Sequence, residues 1–71
     1  MTRDEFTRAW AAGFTRARQE AGLTVAQVAV AAGVPESTVK RAEVRGTVRI
    51  TTAVLLCDVY DVSLDSLAAP A

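Results

Sequence analysis

The chain has no histidine, one cysteine and no net charge, with eight Lys and Arg set against eight Asp and Glu over 71 residues. Without histidine, histidine-based catalysis and most zinc sites are excluded. Cys57, alone, cannot form an internal disulfide. No apolar run is long enough to span a bilayer and none has the layout of a signal peptide, so no membrane partner and a cytoplasmic location are expected. No strand alternation, internal repeat or low-complexity segment interrupts the pattern. No nucleophile–base pair, paired carboxylate set or metal cluster is visible, so no enzyme activity, metal, cofactor or small-molecule ligand is expected.

What is present is an apolar half: 51% of residues are hydrophobic. That suffices for one small core. Domains of this size hide only about 60% of their unfolded surface, so a partner would add stability. The charge is also unevenly placed. Residues 1–57 carry all eight bases and five acids, whereas residues 58–71 carry Asp58, Asp61 and Asp65 and no base. A neutral chain can therefore still present a basic face.

Periodicity predicts five helices. The first spans Arg3 to Ala21, with Thr2 and Glu5 at capping-box spacing and Phe6, Trp10, Phe14, Ala17 and Ala21 as a buried stripe. Gly13 is expected to weaken its middle by about 1 kcal/mol relative to alanine, and Gly22 to end it. Thr24 and Gln27 form a second capping box, and Leu23 and Val28 occupy hydrophobic-staple positions. The second helix stops at Gly33 after about two turns. Pro35 sets the first turn of the third helix, which covers residues 35–45 and closes at Gly46. Thr47 to Ile50 reads as a loop. Thr51 or Thr52 caps a fourth helix reaching Tyr60, and Ser63 caps a fifth ending at Leu67. Residues 1–67 are expected to form one domain and residues 68–71 a frayed tail.

The third helix has two unlike sides. At about 100° per residue, Glu36, Ser37, Lys40, Arg41, Val44 and Arg45 share one side, and Thr38, Val39, Ala42 and Glu43 the other. The first set is mostly polar, the second mostly small or apolar. Ala29 is small where the second helix approaches the third, Gly33 makes the turn, and Val39 faces the core.

Leu23-Thr24, Val28-Ala29, Gly33-Val34, Thr38-Val39, Arg41, Glu43 and Val62-Ser63-Leu64-Asp65 together resemble the Cro/repressor helix-turn-helix family, also called the XRE family, over Phe14 to Leu67. The resemblance implies an all-α, compact five-helix bundle of the lambda-repressor-like DNA-binding type, with the helix-turn-helix in helices 2 and 3. It also implies a homodimer on operator DNA and transcriptional control, often in bacteriophages or mobile elements. Base readout then falls to Glu36, Ser37, Lys40 and Arg41. Arginine can grip guanine and glutamate can accept from cytosine. Backbone contact falls to Thr24, Gln27, Thr38, Arg45, Thr47 and Arg49, with the start of the second helix offering amides to a phosphate. An arginine of the first helix pairs with the glutamate of the third in the family. Here those positions are Arg18 and Glu43.

The chain departs from the family at three points. Val25 stands where a phosphate-touching glutamine is usual, Pro35 where serine is favoured, and Glu36 brings a negative charge toward DNA. In the fourth helix, Ala53, Leu56, Cys57 and Tyr60 match buried positions, whereas Leu55 and Val59 match positions that are usually polar. With Leu64 and Leu67 they are expected to form a homodimer or partner surface, the alternative being that Leu55 and Val59 pack under the long first helix. The expected function is a sequence-specific DNA-binding regulator, a Cro-like or phage-type repressor. The alternative is an antitoxin or protein-interaction adaptor on the same fold.

Overall fold

The computed structural model describes residues 2–68, which form five helices: α1 (Arg3–Ala21), α2 (Val25–Ala32), α3 (Glu36–Arg45), α4 (Ile50–Tyr60) and α5 (Leu64–Ala68). Ala68, expected to begin the tail, is instead the last residue of α5, and the rest of that tail, 69–71, lies outside the described residues. Among the described residues no helix is long and apolar enough to cross a membrane.

Local chemistry accounts for most of the helix ends. Thr2 Oγ1 accepts from the Glu5 amide at 3.2 Å. At α2 both halves of the capping box form: the Gln27 amide donates to Thr24 Oγ1 at 3.1 Å and the Thr24 amide to Gln27 Oε1 at 2.9 Å. The Ser66 amide donates to Ser63 Oγ at 3.2 Å, which starts α5. Gly22, Gly33 and Gly46 all take left-handed conformations at helix ends, as does Asp61 with φ 56°. Two starts differ from expectation. Pro35 sits at the cap of α3 rather than inside it, and α4 begins at Ile50 with Arg49 as its cap instead of Thr51 or Thr52. Neither helix receives a side-chain cap hydrogen bond.

The core is built on Phe14, Val28, Val39, Leu56 and Leu67, all fully buried, with Ala17, Ala29, Ala42, Ala53, Cys57 and Tyr60 around them. α1 is the spine against which α3 and α5 pack. Its buried face is only part of the expected stripe: Phe14 and Ala17 are buried and Trp10 packs against the core. Ala11 and Gly13 are buried as well, whereas Ala21 is exposed and Phe6 is 47% exposed. Small residues win because backbones come into contact there. A Cβ on Gly13 would collide with the Leu67 carbonyl, and one on Gly46 with the Thr7 carbonyl. Gly13 is thus the seat of α5 rather than a weak point in α1. The aromatic residues still form a ladder along α1, with ring centroids 5.5 Å apart for Phe6–Trp10 and 5.8 Å for the edge-on Trp10–Phe14 pair.

Two buried polar atoms, Trp10 Nε1 and Tyr60 Oη, have no hydrogen-bond partner among the described residues. Burial, aided by the Glu43 charge and opposed by Arg18, pushes the Tyr60 phenol up to about 12. A free tyrosine ionises near pH ~10, so the folded state holds its proton where the unfolded chain has lost it. Tyr60 therefore contributes stability that is fully present below about pH 10 and is lost as pH rises toward about 12, some 2–3 kcal/mol in all. Urea titrations at pH values across that window should show this decline. Tyr60→Phe, which removes an unpartnered hydroxyl, should show a shallower one. Equal slopes for the two proteins would contradict the assignment.

Candidate nucleic-acid interface

The α2–turn–α3 unit sets the geometry. Gly33, at φ 71°, reverses the chain, and the Val34 amide donates back to the Ala29 carbonyl at 3.0 Å. This turn aims α3 so that Val39 and Ala42 are buried, while Glu36, Ser37, Lys40, Arg41, Val44 and Arg45 are all exposed. Thr38 and Glu43 lie at the two edges, half-buried. The two sides of α3 read from the sequence are thus the two sides the structure presents.

Glu43 is held at its edge. Arg18 Nε donates to Glu43 Oε2 at 2.8 Å and Arg18 Nη2 to Glu43 Oε1 at 3.0 Å, while Nη1 donates to the Leu23 carbonyl at 3.1 Å. One guanidinium therefore ties together α1, the turn before α2, and α3. The hydrogen bond to Glu43 raises the Arg18 pKa, with burial working against it. The parallel two-bond geometry leaves α3 little freedom to roll. The side chains are only 19% and 10% exposed. Breaking fully buried pairs costs about 3–5 kcal/mol, so Arg18→Ala should cost slightly less, about 2–3 kcal/mol. Glu43→Ala should cost less again, because Arg18 keeps its bond to Leu23. A double-mutant cycle read by urea unfolding should return a coupling of about 1–3 kcal/mol. A coupling near zero would mean that the pair does not brace α3.

Arg18–Glu43 is the one ion pair among the described residues. Lys40, Arg41, Arg45 and Arg49 thus have no carboxylate partner there. Arg41 and Arg49 line one shallow cleft of about 340 Å³ together with Thr38, Thr47 and Thr52, over a floor of Val34, Pro35 and Val48. The uncapped starts of α3 and α4 both border it, because Pro35 and Arg49 are their cap residues. Two guanidinium groups, three hydroxyls and two open helix starts suit an anionic, phosphate-bearing backbone. Arg45 lies apart from this cleft, in the last turn of α3.

The start of α2 is a partial correction. Of the amides from Thr24 to Gln27 expected as phosphate donors, those of Thr24 and Gln27 are used inside the capping box. The first-turn amides left over are those of Val25 and Ala26. Val25 itself packs against the core, so its side chain does not replace the glutamine usual there.

The partner surface is a second correction. Leu67 is 1% exposed and belongs to the core, because α5 lies against Gly13. Val59 and Leu64 are partly buried and pack against that core. Leu55, at 45% exposed, remains outside, joined by Ile50 at 61% and Val54 at 50%. Ile50, Thr51, Val54 and Leu55 line one apolar depression at the start of α4. The sequence carries the signal for Ile50 and Val54, which are four residues apart on one helix face. Placing Ile50 in a loop hid it.

A comparison with models of known protein families matches residues 15–67 to the one described as Helix-turn-helix. No curated protein and no solved structure matches the chain.

Proposed function

The chain belongs to the helix-turn-helix family, and from that premise we propose that it is a sequence-specific transcription regulator, a Cro-like or phage-type repressor that lays α3 in the major groove of operator DNA. The observation that carries this reading is α3 itself. Its six outward residues are exposed, three of them basic and unpaired among the described residues, while Glu43 is tied back to Arg18. Glu36, Ser37, Lys40 and Arg41 then meet base edges, and Thr38, Arg45, Thr47 and Arg49 meet the sugar-phosphate backbone. Residues 1–67 act as the one domain that does this. Two copies joined through Leu55, Ile50 and Val54 place their α3 helices about 34 Å apart, one turn of the duplex.

A gel shift against the DNA upstream of the chain's own gene tests the reading, at low salt where phosphate attraction is strongest. A specific complex is expected, and Arg41→Ala should lose about 5- to 150-fold in preference for it over a scrambled duplex. Arg41 is exposed, so the variant should unfold at the same temperature. Absence of any shift at low salt would favour the second reading, an antitoxin or interaction adaptor that docks through the apolar start of α4. The zero net charge and the exposed Ile50, Val54 and Leu55 support that alternative.

A further inference from the structure

Val44 has no structural task. It is 77% exposed, on the outward side of α3, between Lys40, Arg41 and Arg45. Along the helix it lies two turns beyond Ser37. Residues seven apart point within about 20° of each other, so Ser37 and Val44 lie in line. Within the outward arc from Glu36 round to Arg45 these two fall near the middle. Glu36 and Lys40 lie toward one flank, and Arg41 and Arg45 toward the other. The Arg41 flank is also the cleft that Arg49 closes. Around the axis of α3, Ser37 and Val44 therefore face most directly whatever the helix enters. A branched apolar side chain at that point forms no hydrogen bond with a base edge and gains nothing from a phosphate. The one apolar group that the major groove offers is the C5 methyl of thymine.

We infer that Val44 reads a thymine methyl, so that each operator half-site carries a thymine opposite the second half of α3. The inference rests on the DNA-binding reading above and adds to it a specificity-determining residue. It predicts a preference that hydrogen bonding cannot supply, because deoxyuridine differs from thymidine only in lacking the methyl and keeps the same donors and acceptors.

The experiment uses the full chain. Duplexes are first selected from a randomised pool, and the best is then remade with deoxyuridine in place of thymidine, one position at a time. The wild type should bind the thymidine duplex about fourfold more tightly for each contacted methyl, at one position per half-site. Val44→Ala should bind both duplexes alike and unfold at the wild-type temperature, and Val44→Ile should restore the preference. Equal wild-type affinity at every position would overturn the inference, as would a preference that survives in Val44→Ala. Either result would leave DNA binding standing. Failure of the wild type to select any duplex would remove the DNA-binding reading itself and this inference with it.

Discussion

Gly46→Ala is expected to cost at least about 3 kcal/mol, from two separate causes acting at one atom. The backbone at Gly46 has φ 67°, a left-handed conformation that costs a residue with a Cβ about 1–2 kcal/mol. The added methyl would also run into the Thr7 carbonyl and come within 3.1 Å of the Ala11 amide nitrogen. These are backbone atoms of a long helix and cannot rotate aside. Relief requires the loop after α3 to lift off α1, which disturbs the cleft that Arg49 and Thr47 line. Gly22 and Gly33 are internal controls. Both have φ 71°, and a Cβ on either meets nothing within 4 Å. Their alanine variants should lose only the conformational part, about 1–2 kcal/mol. Gly13→Ala isolates the other part, since Gly13 lies inside α1 but faces the Leu67 carbonyl. Helix propensity alone would make that change stabilising by about 1 kcal/mol, and the collision reverses the sign. At about 0.05–0.15 kcal/mol per residue the whole domain holds roughly 4–11 kcal/mol. Each kcal/mol shifts the melting temperature by about 4–8 °C in a domain this small. Melting curves of the four variants should therefore place Gly46→Ala at least about 12 °C below the wild type, well under the two controls. A Gly46→Ala protein that melts with the Gly22→Ala protein would show that α1 and the loop do not touch as described.

The same two glycines mark where sequence reasoning stops. Periodicity tells which residues share a face, and it placed Val39 and Ala42 in the core and both sides of α3 correctly, while the family resemblance did the same for Ala53, Leu56, Cys57 and Tyr60. Capping chemistry is local, so Thr2, Thr24 and Ser63 were legible as helix starts. Periodicity cannot tell which other backbone lies over a face. The expected stripe of α1 held Phe14 and Ala17 correctly but missed Ala11 and Gly13, where the Gly46 loop and α5 come closest, and included Phe6 and Ala21, which stay at the surface. Leu67 was misplaced for the same reason. A five-residue helix has too few turns to show a phase, and only its position over Gly13 decides which way it faces. At the candidate interface, Arg18 and Glu43 could be matched by family resemblance but not by spacing, because 25 residues separate them. Arg41 and Arg49 meet in one cleft only after the chain turns at Gly46. Their closeness bears directly on what Arg41 does.

Affinity for the operator should fall about 150-fold between 50 and 200 mM salt, and the slope of that fall should separate the roles of Arg41 and Arg49. If Arg45 and Arg49 of each protomer neutralise one phosphate apiece, a dimer releases about four counterions, and log K falls with log salt at a slope near −3.6. Arg49→Ala then removes two of the four and halves the slope to about −1.8. It should weaken specific and scrambled duplexes alike, since a phosphate carries no sequence. Arg41→Ala has two possible outcomes, because Arg41 shares the cleft with Arg49. As a reader of guanine it leaves the slope near −3.6 and lowers discrimination between duplexes by about 5- to 150-fold. As a second phosphate clamp it adds two contacts per dimer, so the wild-type slope is itself near −5.4, and its loss brings that to about −3.6 and leaves discrimination intact. Its place on α3, between the outward ridge of Ser37 and Val44 and the half-buried Thr38, favours the first outcome, with the guanidinium reaching past the rim of the cleft into the groove. The neutral total charge sharpens the measurement. Eight acids offset eight bases, so diffuse attraction to any duplex is weak and the slope reports the few arginines at the interface. A flat response to salt would mean that no phosphate is held at all, and would sink the DNA-binding reading.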